Sequence, residues 1–232
     1  MNQQTDVLND GEAVKVRRLS SDWLRLALGI VFVMTVIVTF SYVMSDRPVD
    51  PKNDGAFKLA FVDDFDRPAT SSGLNSAKVD NWKVVTGNWS VQISGAYIIQ
   101  SDPKQSLALV KVDTTSMLVQ AKISGNARCG IVAGAADANS FVSLFRAPKF
   151  GVWVVNRVAN GKATKLGTLP DPGSGTQTIS LSVSKDLIRV ASGNSTASFV
   201  NREMGLGQMG GLFALGDAAP CVWDDVVVQE AR

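Results

Sequence analysis

Two hydrophobic patterns divide this chain. From Leu26 to Met44 nineteen residues pass without a charge, reading LALGIVFVMTVIVTFSYVM. From Phe57 onward the apolar residues come instead in short runs broken by Gly, Asn, Ser and Pro. A helix rises about 1.5 Å per residue, so the first run spans roughly 28 Å, close to the ~30 Å hydrocarbon core of a bilayer. A helix apolar on every face belongs in a large core or in a membrane. The pattern predicts a transmembrane helix over residues 23–44, with Trp23 and Tyr42 at its two interfaces. A cleavable signal peptide is the rival, with Val43 and Ser45 as its small residues, but the run exceeds the usual ~7–15 residues. The reading is an uncleaved signal anchor.

The flanks give an orientation. Lys15, Arg17, Arg18 and Arg25 precede the run, and the cations after it (Arg47, Lys52, Lys58) are more spread out. Basic flanks stay in the cytoplasm, so residues 1–22 form a cytoplasmic tail and the bulk of the chain lies outside, in a periplasm or on a cell surface. Residues 45–56, SDRPVDPKNDGA, have linker composition. Twelve residues reach at most about 40 Å, which keeps the following domain near the membrane.

Residues 57–232 read as strands. FKLAFVDDF, NWKVVTGNWSVQISGAYIIQ, SLALVKV, SMLVQAKIS, CGIVAGA, SFVSLFRA, GVWVVNRV, ATKLGTL, TQTISLSVS, LIRVA, STASFV, GGLFAL and CVWDDVVVQ follow one another with turn residues between them. Asn160-Gly161 signals a two-residue hairpin, and Ser192-Gly193-Asn194 a second tight turn. In TQTISLSVS, Ile179, Leu181 and Val183 alternate with Ser180, Ser182 and Ser184, as in a strand buried on one side. No stretch beyond Met44 sustains a helical period. Thirteen or fourteen short strands predict an all-β, two-sheet jelly-roll sandwich, with its first and last long strands as neighbours.

Composition narrows the chemistry. The roughly 190 residues beyond the apolar run suffice for one domain with a sizeable core. A formal net charge of +2 gives no electrostatic case for nucleic acid. With no histidine, Ser-His-Asp and Cys-His mechanisms are excluded, and Cys129 and Cys221 alone make a poor zinc site. Outside the cytoplasm the two cysteines could pair; inside it they would be buried free thiols. The glycines of GLGQMGG precede a strand, not a helix, so they form no phosphate loop.

Three stretches, VDDFDRP, NWKVVTGNWSVQISGAYIIQ and GGLFALGDAAPCVWDDVVVQ, carry a resemblance. Together they resemble the laminin-G-like, concanavalin A-like sandwich domains of bacterial surface and phage structural proteins, over roughly residues 59–229. The resemblance implies a fold that hosts lectins, glycosidases and interaction modules. Its glycosidase branch carries paired glutamates on one strand. Here the glutamates are Glu12, Glu203 and Glu230, far apart in sequence, so that catalytic pattern is absent.

The resemblance also implies a structural calcium. Asp63, Asp64 and Asp66 lie at one end of the first strand and Asp224 and Asp225 in the last, so pairing of those strands would gather carboxylate oxygens. The alternative is that these acids cap turns and pair with Arg67. Trp82 and Trp89 read as core. Trp153 and Arg157 share a face under period-two alternation, and Arg146 sits on the preceding strand. They form a candidate surface for a glycan or a protein partner, against the alternative of a core tryptophan beside a snorkelling arginine. The expected function is a non-catalytic, membrane-anchored binding protein, an accessory subunit of a larger membrane complex in contact with lipid. A cell-surface glycan-binding module is the alternative, and an enzyme with an unrecognised site the third reading.

Overall fold

The computed structural model describes residues 57–231 apart from 71–72, 93–94, 101–104, 174, 202–204 and 217–220. The expected tail, membrane helix and linker, residues 1–56, lie outside the described residues. Among those described, no helix is long and apolar enough to cross a membrane.

The described residues form fifteen strands in two antiparallel sheets. The eight-stranded sheet runs β13 (Ser195–Val200), β12 (Leu187–Ser192), β11 (Gln177–Val183), β6 (Met117–Ser124), β15 (Val222–Ala231), β4 (Gly95–Gln100) and β3 (Asn88–Gln92), and β1 (Phe57–Asp63) also pairs with β15. The seven-stranded sheet runs β10 (Lys162–Pro170), β9 (Val152–Ala159), β8 (Ser140–Ala147), β7 (Cys129–Asp137), β14 (Met209–Leu215), β5 (Gln105–Lys111) and β2 (Trp82–Thr86). The expected pairing of the first and last strands is present, from Phe57 opposite Ala231 to Asp63 opposite Val226. Asn160 and Gly161, both at positive φ, turn β9 into β10, and Gly193 at φ 53° turns β12 into β13.

The core lies between the sheets. Val119, Ala121, Ile179, Leu181 and Val228 face Ala108, Ile131, Leu144, Val155 and Leu212 across it. Trp89 and Trp223 stack tilted at 5.1 Å, and Trp82 meets Phe61 edge-on at 5.2 Å. Trp82 and Trp89 are therefore core residues, as expected. Cys129 at the head of β7 is bonded to Cys221 just before β15, which ties one sheet to the other across a sequence separation of 92. In the structure the two cysteines that the sequence left open are joined.

The two outer faces differ in kind. On the seven-stranded sheet the outward residues form a second buried apolar cluster, with Leu107, Leu109, Val132, Phe141, Phe145 and Phe213. Phe213 packs against Phe141 at 5.7 Å and Phe145 at 5.6 Å. On the eight-stranded sheet the outward residues of β6 and β11 are mostly polar, with Leu118 among them.

Candidate functional site

The polar face follows from simple alternation. In β6 Met117, Val119, Ala121 and Ile123 are buried, so Leu118, Gln120, Lys122 and Ser124 point outward. In β11 Ile179, Leu181 and Val183 are buried and Thr178, Ser180 and Ser182 point outward. Register then aligns these groups into rows. Asp224 stands opposite Lys122, which stands opposite Thr178. The next row is Val227, Gln120 and Ser180, and the one beyond holds Leu118, Ser182 and Arg189. Side chains directly opposite on one face are within interaction distance.

One irregularity concentrates charge at the head of these rows. The β6–β15 register shifts between Asp224 and Val227, and Asp225 adopts φ 46°. Regular alternation would turn one of two adjacent aspartates inward. A bulge re-aims side chains, and here neither carboxylate is buried in the core. Asp225 Oδ2 lies 2.5 Å from Lys122 Nζ. The Asp225 backbone N–H donates to Asp224 Oδ1 at 2.9 Å. Beside them opens a cleft of ≈ 210 Å³ lined by Lys122, Ser124, Thr176, Val222 and Asp224. Tyr97 lies opposite Val222 on the neighbouring strand.

The electrostatics follow from this crowding. Burial, together with the charges of Asp225 and Asp64, pushes the Asp224 carboxyl above the usual carboxylate range, against the pull of the Asp225 amide and Lys122. The hydrogen bond and charge of Asp225 raise Lys122. The cleft thus offers an ammonium, a carboxylate, two hydroxyls and one aliphatic wall, which suits hydrogen bonding to a hydroxylated ligand against a small apolar patch.

The residues expected from sequence fall elsewhere in part. Trp153 is fully buried and so is Arg146, which corrects the expectation of an exposed Trp-Arg pair. The face shared by residues 153, 155 and 157 points into the sandwich. Period two groups those residues correctly, but β9 is largely apolar on both faces, so alternation alone cannot choose the outer one. Arg146 stands opposite Trp153 in register, with its guanidinium 4.9 Å from the ring centroid. Its Nε lies 3.0 Å from Asp171 Oδ2, and its Nη2 donates to Gly173 O at 3.2 Å. This buried ion pair fastens the loop after β10. Arg157 is half-buried on the same inward face.

The five aspartates do not form one set. Asp63 is buried, pairs through both oxygens with Arg67, and accepts from Trp82 Nε1 at 2.7 Å and from the Phe65 amide at 2.9 Å. Asp64 accepts from the Asp66 amide at 3.0 Å. Asp224 and Asp225 lie beside Lys122. Among the described residues no three acidic or cysteine side chains stand together as metal ligands. For Asp63 and Asp64 the arrangement is the turn-capping and Arg67 pairing weighed as the alternative. Lys122, Ser124 and Thr176 were not singled out from sequence. The outward phase of SMLVQAKIS was the available signal.

No family model matches the sequence. No curated protein matches it either. Solved structures do. A carbohydrate-binding module, CBM66 from Bacillus subtilis, superposes with a TM-score of 0.57 at 15% identity, covering 65% of this chain and 96% of its own. The shared fold is a two-sheet jelly-roll sandwich. A GH43 protein from Bacillus licheniformis follows at TM-score 0.52 and 15% identity, covering 73% of this chain and 38% of its own. A xylan beta-1,4-xylosidase from Bacillus halodurans gives 0.51 at 13% identity, with 75% and 40% covered. The present chain thus spans well under half the length of these last two proteins. At such identities the likeness is one of fold.

Proposed function

We propose that this chain displays a non-catalytic carbohydrate-binding sandwich on the outer side of a membrane, held there by the Leu26–Met44 run. The observation that carries the reading is the outer face of the eight-stranded sheet. Rows that carry hydroxyl, amide and charged side chains, with Val227 and Leu118 among them, end at a cleft lined by Lys122, Ser124, Thr176, Val222 and Asp224. Sugars are bound by such convergent donors and acceptors beside a small apolar surface. The fold likeness to a protein named as a carbohydrate-binding module supports it.

Location draws on two further points. The apolar run has the length of a bilayer span. The Cys129–Cys221 disulfide belongs in an oxidising compartment, which agrees with a domain outside the cytoplasm. Absence of catalysis draws on the acids. Glycoside hydrolysis needs two carboxyl groups flanking the scissile bond, about 5–10 Å apart. Beside the cleft Asp225 is engaged with Lys122, and Asp224, its sequence neighbour, is the one carboxylate among the described lining residues. The expected role as an accessory subunit draws no support from the structural likenesses.

The test is direct. The full-length chain, solubilised in detergent micelles, is applied to an array of glycans. Specific retention of at least one sugar class is expected. No retention by a chain whose tryptophan fluorescence shows it folded would contradict the reading.

A further inference from the structure

We infer that the sugars taken by this face are uncharged or amine-bearing, and that carboxylated and sulfated sugars are refused. The inference rests on the carbohydrate-binding reading above and adds the charge class of the ligand.

The charges at the cleft decide it. Asp224 and Asp225 are sequence neighbours that both stay out of the core, and the Asp225 amide donates to Asp224 Oδ1 at 2.9 Å. Against these two adjacent carboxylates stands one ammonium, Lys122, already committed to Asp225 at 2.5 Å. Among the described residues that line the cleft, Lys122 is the only cation. Arg189 shares the outer face, but it lies two strands and two rows away, about 16 Å by strand and residue spacing and beyond a Debye length at physiological salt. An incoming carboxylate or sulfate would meet a net negative field, with no unpaired cation among the described residues that line the cleft.

A neutral sugar meets no such barrier. Its hydroxyls donate to the Asp224 carboxylate and accept from Lys122, Ser124 or Thr176, the hydroxyl side chains also accepting in turn. An amino sugar gains more, because Asp224 has no ion pair of its own among the described residues. The bulge at Asp225 serves this purpose in an identifiable way. It keeps Lys122 occupied by one carboxylate while the next stays open to the cleft.

The experiment uses the full-length chain in detergent micelles near pH 7.5 and physiological salt. The array carries neutral, amino, uronic, sialylated and sulfated glycans. Binders are expected among the neutral and amino members alone. Asp224→Asn should weaken the best of these about tenfold, the scale of one charge-assisted hydrogen bond. Because Asp224 is only half-buried at the surface, the variant should keep the wild-type fluorescence spectrum. Thr176→Ala, at an exposed position, gives a second and smaller loss from the same cleft. A best binder carrying carboxylate or sulfate overturns this inference and leaves the carbohydrate-binding reading standing. Neutral binding unaffected by both substitutions also overturns it, since the ligand then sits elsewhere. Absence of every binder overturns the underlying reading itself.

Discussion

Asp224 is held against its own ionisation. Burial and the neighbouring carboxylates raise its pKa above the unfolded value, so the folded chain holds that proton more tightly than the unfolded chain does. Its contribution therefore favours folding at acid pH and fades as pH rises from the usual carboxylate range through its raised value. Asp224→Asn should raise the melting temperature at pH 7, and the gain should vanish near pH 3. A scan of melting temperature against pH checks the sign. Trp153 gives a second expectation at this scale. It is fully buried beneath Arg146, so Trp153→Ala should cost about 3–5 kcal/mol in urea unfolding. A cost under about 1 kcal/mol would restore it to the surface. Single residues were legible from sequence where pattern named a face unambiguously. Ser180 and Ser182 alternate with aliphatic residues, and they point outward. Trp153 was misplaced because both faces of its strand are largely apolar, and Lys122 was overlooked because its partner Asp225 is brought to it only by a bulge.

Elements carry the next level of the account. Turn chemistry was readable: Asn160-Gly161 closes β9 onto β10 at φ 50° and 77°, where a two-residue hairpin needs positive φ twice. Gly87 is a sharper case. It joins β2 of one sheet to β3 of the other at φ 80°, and an added Cβ would meet Ser106 Oγ at 2.5 Å. Gly87→Ala should therefore cost more than about 1 kcal/mol, measured by the same unfolding experiment. The disulfide acts between elements. Joining β7 to the start of β15 removes freedom from the unfolded chain, so Cys129→Ser with Cys221→Ser should lower stability by about 2–4 kcal/mol. The bulge in β15 was not legible. CVWDDVVVQ reads as an ordinary strand, and its register shift depends on the pairing with β6 rather than on local preference.

At the scale of the whole molecule the two outer faces divide the fold's tasks. The outer face of the seven-stranded sheet is aliphatic and aromatic, with Leu107, Phe141 and Phe213 buried, while that of the eight-stranded sheet presents hydroxyls, amides and charges around Leu118 and Val227. The sandwich class followed from strand count and turn spacing, and the closure of β1 onto β15 from their positions in the chain. Strand order was beyond reach, because β6 and β15 are distant in sequence and meet only in the fold. The partners of Asp63 were also beyond the reach of sequence: its carboxylate is engaged by Arg67 and Trp82. Addition of a chelator should accordingly leave the melting temperature unchanged, and a fall of several degrees would show a metal in the fold. The central claim is that the polar face binds sugar. The most direct measurement titrates the full-length chain, and beside it Asp224→Asn, with the neutral or amino glycan that the array retains best. The account expects saturable binding by the wild type and about tenfold weaker binding by the variant. Identical binding curves for the two proteins, or no binding to any glycan, would contradict it.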